Sequence, residues 1–490
     1  MLAIDQGTTS TRAIIFDHES NLIAVAQKEL TMYYPHPGWV EQSANELWAS
    51  VVSVISEVLA KANLRATDIA GIGITNQRET TILWEKASGL PIGNAIVWQS
   101  RQSDSYIQAL KDANQGEWIR EKTGLMLDPY FSASKIRFLL DQYDLQEKAE
   151  AGEILFGTVD SFLVWKLSAG KCHISDVSNA SRTMLMNIHT LEYDEELLAL
   201  WNIPRCMLPE IRDTSCVYAN TDASLFGSAI PIAAVVGDQQ AALFGQTCFE
   251  KGSMKNTYGT GCFLLMNTKD QIIHSKHGLV SCVGWKIKDQ VDYVLEGSVF
   301  VAGAAIQWLR DGLKVIDSAP QSESKAVSVS SCEGVYVVPA FTGMGAPYWK
   351  PSAKGAIFGM TRGTKQEHII RATLESLAYQ TYDVVEAMKQ DSGIALKRLQ
   401  VDGGASSNAF LMQFQSNLLD CEVVCSLLSE TTALGAAYLA GLAVGYWKDL
   451  AEIKANFQIG SKYQSMMNEA ERSKRIDGWK KAVQATMCFE

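Results

Sequence analysis

Hydrophobic positions along this chain recur in two styles, short β-branched runs and longer stretches at helical spacing. IAGIGIT (69–75) is a compact apolar run suited to a buried strand. SANELWASVVSVISEVLAKA (43–62) carries its apolar residues on one helical face, and Ser43 with Glu46 three residues on predicts a capping box at its start. The second half repeats the order. Thr364 and Glu367 predict the start of a long amphipathic helix running to about Lys389. KRLQVD (397–402) then reads as a strand entering Gly403-Gly404, and SNAFLMQFQSNLLD as the helix after it. Strands and helices in alternation predict an α/β architecture. The longest apolar run, ALGAAYLAGLAVGYW (433–447), contains three glycines and is too short to span a bilayer comfortably. It reads as a buried, closely packed helix.

IDQGTTSTRAIIFD, near the start, and KNTYGTGCFLLMN (255–267) look alike: each has a Gly-Thr pair in a hydroxyl-rich turn leading into an apolar strand. The repeat suggests two related domains across a cleft, although Gly and Thr are common in hairpin turns. At 490 residues the chain exceeds what one core normally serves, which also predicts two domains. The boundary is expected near 245–252, giving domains 1–247 and 248–490. The composition, 47% hydrophobic and 20% charged, is that of a globular protein. A net charge of −11 argues against a nucleic-acid or anionic-membrane partner, since both need a concentrated positive face. The ten cysteines are scattered, and Cys421 and Cys425 lack neighbours to complete a zinc site, so free thiols are expected. No signal peptide is visible, and a cytoplasmic location is expected.

Chemistry concentrates at strand ends. Gly7 allows close backbone approach, and Thr8, Thr9 and Ser10 offer hydroxyls beside backbone amides, so the first turn reads either as a plain hairpin or as a phosphate cradle. Asp5, ending the strand before it, suits a hydrated Mg²⁺. A P-loop is excluded, because Gly170-Lys171 is followed by Cys172, and GIGITN lacks the third glycine of a dinucleotide fingerprint. In TNQRETT, Arg78 and Glu79 pair a donor fork with an acceptor, which grips a polyol or else forms an ordinary surface ion pair. Trp98 and Tyr130 read as walls of such a site or as core aromatics. IAAVVGDQQAALFGQ (232–246) ends an apolar run at Asp238, placed either to take a proton from a substrate hydroxyl or to cap the next helix. The glycines of VDGGASSN (401–408), with Asn408 just beyond, suit close approach to an adenine or ribose.

DQGTTST, GITNQRETT, DPYFSASK, FGTVDSFLVWKL, NASRTML, GDQQAALFGQ, NTYGTGCF, PAFTGMGAPYW, VDGGASSN and TALGAAYLAGLAVG follow one another in a single order. Together they resemble the glycerol-kinase branch of the FGGY carbohydrate-kinase family over nearly the whole chain. The resemblance implies two ribonuclease H-like domains of the actin/hexokinase type, each a mixed sheet flanked by helices. It further implies ATP and Mg²⁺ as cofactors, glycerol as substrate and a homodimer or homotetramer. Carried onto matching positions, it makes Arg78, Glu79, Tyr130 and Asp238 glycerol ligands, with Gln239 beside them and Trp98 and Phe263 lining the apolar side. Asp238 becomes the general base, and Asp5 with Asp238 the metal-associated carboxylates. Thr8, Thr9, Ser10 and Arg12 become phosphate contacts, and Thr260, Gly303, Gln307, Gly404 and Asn408 nucleotide contacts.

The chain departs from that family at a regulatory loop. Many bacterial members carry a Gly-Gly-Thr-Arg loop that binds fructose 1,6-bisphosphate, and Gram-positive members often carry a phosphorylatable histidine there. The corresponding stretch, DASLFGSAIPI (222–232), has neither arginine nor histidine, so both controls are expected to be missing. With only four residues before Asp5, a trimmed N-terminus is also expected. Kinases for a pentulose or gluconate are the nearest alternatives.

Overall fold

The computed structural model describes residues 1–489 and contains two large mixed sheets. The first is built from β1 (Leu2–Gln6), β2 (Ser10–Phe16), β3 (Leu22–Glu29), β4 (Ile72–Asn76), β5 (Ser215–Asn220) and β6 (Pro231–Gly237), in the order β5-β6-β4-β1-β2-β3. The second contains β7 (Met254–Tyr258), β8 (Cys262–Lys269), β9 (Val280–Ile287), β10 (Gln290–Val299), β11 (Arg398–Gly403), β12 (Glu422–Ser426) and β13 (Ile459–Tyr463), in the order β9-β10-β8-β7-β11-β12-β13.

The two sheets share a motif. In the first, β1 runs antiparallel to β2 and parallel to β4. In the second, β7 runs antiparallel to β8 and parallel to β11. Each leading hairpin turns through the hydroxyl-rich segment, closed by Gly7 N–H to the Ser10 carbonyl (3.0 Å) and by Gly259 N–H to the Gly261 carbonyl (2.8 Å). The duplicated ribonuclease H-like architecture is therefore present, and both turns fall at the same ends of equivalent strands. β1, β4 and β6 are buried almost throughout, which explains why they read as continuous apolar runs.

Helix α1 (Ala44–Ala62) covers one face of the first sheet with Leu47, Val51, Val54, Ile55 and Val58. Ser43 Oγ accepts the Glu46 N–H at 3.3 Å as expected, but Glu46 turns its carboxylate to Thr31, so only half of the capping box forms. The other face receives α2 (Asp238–Gly245), while α3 (Gln366–Ser392) and α4 (Ala409–Leu419) belong to the second sheet's core. The start of α3 corrects the sequence reading. Thr364 Oγ1 accepts the Thr361 N–H (2.9 Å) within a turn, and His368 Nδ1 instead accepts the Lys365 N–H (3.1 Å).

The glycine-rich run forms α5 (Thr431–Val444), and α6 (Glu469–Cys488) closes the described chain. Although α5 comes late in the sequence, it packs on the first sheet and against α2. A Cβ on Gly73 would collide with the Ala436 carbonyl, on Gly245 with the Thr431 carbonyl, and on Gly435 with the Ala241 carbonyl. These glycines let backbone meet backbone where the halves interlock. All ten cysteines are free. Among the described residues, no helix is long and apolar enough to cross a membrane.

Candidate active site

β1, β4 and β6 end side by side, with Gln6, Asn76 and Gly237 in register. Open α/β sheets present ligand-binding groups at such strand ends. The chain following β4 carries Arg78 and Glu79, and the residue following β6 is Asp238. The Arg-Glu pair is not a surface ion pair: both side chains are at most 2% exposed. Arg78 Nε lies 3.2 Å from Asp238 Oδ1, joining two of the predicted residues directly. Asp238 opens α2, but the cap position is Gly237, and Asp238 Oδ1 accepts the neighbouring Gln239 N–H (2.7 Å).

Glu79 sits at φ +59°, a left-handed conformation that costs a β-carbon-bearing residue of order 1–3 kcal/mol. Its surroundings hold it there. Thr81 Oγ1 (3.0 Å) and Ser132 Oγ (3.1 Å) donate to its carbonyl, and Arg182 Nε donates to its carboxylate. The left-handed backbone is thus held by side-chain hydrogen bonds beside a buried Arg-Glu pair.

Two residues that sequence reasoning missed complete this cluster. Glu296, on β10, accepts from Arg78 Nη1 at 2.6 Å and Nη2 at 2.9 Å, and lies 3.3 Å from Arg182 Nη2. Arg182 is fully buried, stacks its guanidinium 5.2 Å from the Tyr130 ring centroid, and donates to Cys282 Sγ (2.9 Å). Burial opposes the Glu296 charge, yet Arg182 and Arg78 outweigh it and hold the carboxyl at about 2. Burial pushes the Glu79 carboxyl upward, with Arg182 and Arg78 opposing. Lys255, also missed, donates to Gln239 Oε1 and to Thr257 Oγ1 (2.9 Å), and burial lowers its ammonium to about 8. Three cations, Arg78, Arg182 and Lys255, thus face three anions, Glu79, Asp238 and Glu296. Such balance is what makes so many buried charges tolerable. The available sequence signals were single charged residues inside apolar strands, in MKNTY and YVLEGSV, and the arginine of NASRTML.

The aromatic residues converge as expected. Trp98 packs edge-on to Tyr130 (5.5 Å between centroids) and to Phe263 (6.3 Å), giving the charged cluster an apolar side. Trp98 Nε1 donates to Thr8 Oγ1 (2.9 Å), which ties this wall to the first turn. Because the Thr8 oxygen already accepts, its O–H is free to donate to an anion. Buried amides stiffen the turn from below: Gln6 Nε2 donates to the Gly7 carbonyl (2.7 Å) and Gln77 Nε2 to Gln42 Oε1 (2.9 Å).

Asp5 is the penultimate residue of β1 and is half-buried. Burial pushes its carboxyl up to about 7; Arg12 opposes this, while Asp238 and Glu430 add to it. Asp5 and Asp238 thus stand close enough for their charges to interact, and carboxylates are the donors that a hard divalent cation takes. Arg12 does not point freely at the turn. It pairs with Glu430, at the start of α5, at 2.8 Å and with Gln27 at 3.0 Å.

The remaining predicted residues gather on the second sheet. Thr260 lies in the turn after β7, and its carbonyl accepts the Ala304 N–H (3.1 Å) beside Gly303. A Cβ on Gly303 would press within 2.6 Å of the Gly259 carbonyl, while Gln307 is exposed later in the same short helix, Gly303–Gln307. Gly404 follows β11 and faces open space. Asn408 caps α4, its Oδ1 accepting the Leu411 N–H (2.9 Å), so its amide nitrogen is the group left for a ligand. No direct contact joins Gly404 or Asn408 to the Arg78 cluster among the described residues. The two groups stand at the ends of different sheets.

Residues 1–245 match the FGGY family of carbohydrate kinases, N-terminal domain, and residues 254–444 match its C-terminal domain. A glycerol kinase of Bacillus licheniformis is 57% identical over 492 residues, covering 100% of this chain and 99% of the relative. That of Halalkalibacterium halodurans is 58% identical with the same coverage. Among solved structures, Plasmodium falciparum glycerol kinase with ADP has a TM-score of 0.94 at 34% identity, covering 99% of this chain and 97% of that one. Ligand-bound xylulose kinase from Lactobacillus acidophilus reaches 0.90 at 20% identity over 100% and 98% of the chains, a likeness of fold alone.

Proposed function

Because the chain belongs to the FGGY family of carbohydrate kinases, we propose that it transfers the γ-phosphoryl group of ATP to glycerol, releasing ADP and sn-glycerol 3-phosphate. The observation that carries this reading is the buried cluster in which Arg78 meets Asp238 and Glu79 beneath the Trp98–Phe263 wall. A small triol needs paired donors and acceptors for its hydroxyls and an apolar face for its carbon edge, and this cluster offers both. Arg78, Glu79, Tyr130 and Asp238 hold glycerol, with Gln239 alongside.

Asp238 accepts the proton as the terminal hydroxyl oxygen forms its bond to phosphorus and the bond to the ADP oxygen breaks. Positioning and electrostatics dominate reactions of this type. Thr8, Thr9, Ser10 and Arg12 hold phosphate oxygens from residues 1–247. Thr260, Gly303, Gln307, Gly404 and Asn408 hold the nucleotide from residues 248–490. Asp5 and Asp238 are the residues that would hold Mg²⁺, which supplies charge neutralisation on the phosphates when bound. Arg12 has to leave Glu430 to serve a phosphate, which costs little for a partly exposed pair.

Asp238→Asn keeps the size of the side chain and removes its basicity. ADP release should fall by ~10²–10⁴-fold while nucleotide affinity changes little. Full turnover in that variant would overturn the assignment of the base. Running glycerol beside xylulose, ribulose, gluconate and dihydroxyacetone tests the substrate separately.

A further inference from the structure

We infer that Glu121, His189 and His274 form a binding site for a divalent late-transition-metal cation, Zn²⁺ foremost, at the seam between the two halves of the chain. One ligand atom from each lies within 4.8 Å of the other two. The imidazoles of His189 and His274 stack with centroids 5.8 Å apart and planes 24° apart, and His274 Nδ1 is 3.7 Å from Glu121 Oε2. His189 Nε2 stands 3.1 Å from the Glu121 backbone carbonyl. A carbonyl only accepts, so Nε2 carries the proton and Nδ1 keeps the lone pair. Metal-binding histidines are usually oriented by such a bond to a carbonyl.

The backbone beside each of the three is pinned to another of the segments. Ile188 N–H donates to the Lys122 carbonyl (2.8 Å), Ser281 N–H donates to the Gly124 carbonyl (2.9 Å), and Ser281 Oγ donates to the Ile273 carbonyl. Three anchored segments therefore present two imidazoles and a carboxylate to one point. Bonds of about 2.0–2.2 Å to a tetrahedral ion place ligand atoms roughly 3.5 Å apart. The three side chains are exposed, so small rotations close the difference. Imidazole donors select Zn²⁺ and its neighbours over Mg²⁺, which prefers oxygen and its own water shell. Three protein ligands leave a fourth position to water. Glu121 and His189 precede β7 in the chain and His274 follows it, so a bound ion ties the halves together.

The test is calorimetric titration of the chelator-stripped full chain with ZnCl₂, comparing the protein with His189→Gln and His274→Gln. One equivalent should bind to the parent and raise its melting temperature. Each variant should weaken binding by at least ~100-fold and lose the thermal shift, with an unchanged circular dichroism spectrum and glycerol-phosphorylation rate. Cys206 and Cys488 are exposed and offer Zn²⁺ a competing thiolate site. Titration with Co²⁺ separates the two, because a thiolate site gives a sulfur charge-transfer band and a nitrogen/oxygen site does not. Absence of binding to the parent, equal binding by the variants, or a thiolate band would each overturn the proposal.

Discussion

Replacing Glu296 by Gln tests the charge balance of the site. The substitution keeps the side chain's shape and leaves Arg78 and Arg182 facing a neutral amide. Glu296 accepts two bonds from Arg78, at 2.6 and 2.9 Å, and stands 3.3 Å from Arg182. Its carboxyl is held at about 2 against an ordinary 4.5. That difference corresponds to about 3 kcal/mol favouring the charged form, at about 1.4 kcal/mol per pH unit. Breaking a buried ion pair by removing one partner costs a similar 3–5 kcal/mol on general grounds. For a cooperative unit of about 200 residues, such a loss lowers the melting temperature by on the order of 10 °C. Arg78 also loses the partner that aims its Nε at Asp238, so the KM for glycerol should rise by roughly 100-fold, equivalent to about 3 kcal/mol of binding. The pH dependence has a defined sign. A carboxyl depressed in the folded state contributes its full stability above about 4.5 and loses it as pH falls toward 2. The gap between the parent and E296Q is therefore full at neutral pH and narrows below about 4.5. Urea unfolding followed by tryptophan fluorescence at two pH values, with coupled ADP-release assays over a glycerol range, reads both effects. An unchanged unfolding midpoint together with an unchanged KM would refute the view that Glu296 neutralises and aims the two arginines.

Other outcomes follow from single contacts. Gly435→Ala drives a methyl group into the Ala241 carbonyl where α5 meets α2, so it should cost about 3 kcal/mol or more, read as lower soluble yield and a lower melting temperature; a parent-like melt would contradict the tight crossing. Burial lowers the His173 imidazole to about 4 while its Nε2 meets the Phe156 carbonyl at 2.8 Å. The unfolded chain therefore takes the proton first, so this contribution is full above about 6.5 and is lost as pH falls toward 4. It amounts to about 3 kcal/mol, and His173→Gln should flatten that part of the stability profile relative to the parent. Fructose 1,6-bisphosphate should leave the rate of glycerol phosphorylation unchanged, because the stretch before β6 carries only Asp222 as a charged group, capping a short exposed turn of helix. Strong inhibition in the same coupled assay would show that the sugar phosphate is recognised by other residues.

The linear pattern alone determined several of the strands and helices and the duplicated hairpin. Burial imposes a period of two or an unbroken apolar run on strands and a period near 3.6 on helices, so β4, β6, α1 and α5 were legible before any fold was known. The strand-end residues Arg78, Glu79 and Asp238 were legible too, since a charged residue following a buried strand lies at the sheet's open end. Tertiary structure decided what those residues meet. Glu296 lies 218 positions from Arg78, and Arg182 lies 103 positions from Glu79, separations over which no local periodicity operates. The same holds for α5, whose sequence signalled close packing but not that its partner would be the sheet of the other half. It holds as well for Arg12, assigned to the phosphate turn yet paired across the molecule with Glu430. Sequence spacing records which face of an element is apolar. Which charges neutralise one another depends on how the two halves dock, because a buried charge takes whatever partner the assembled fold brings within reach.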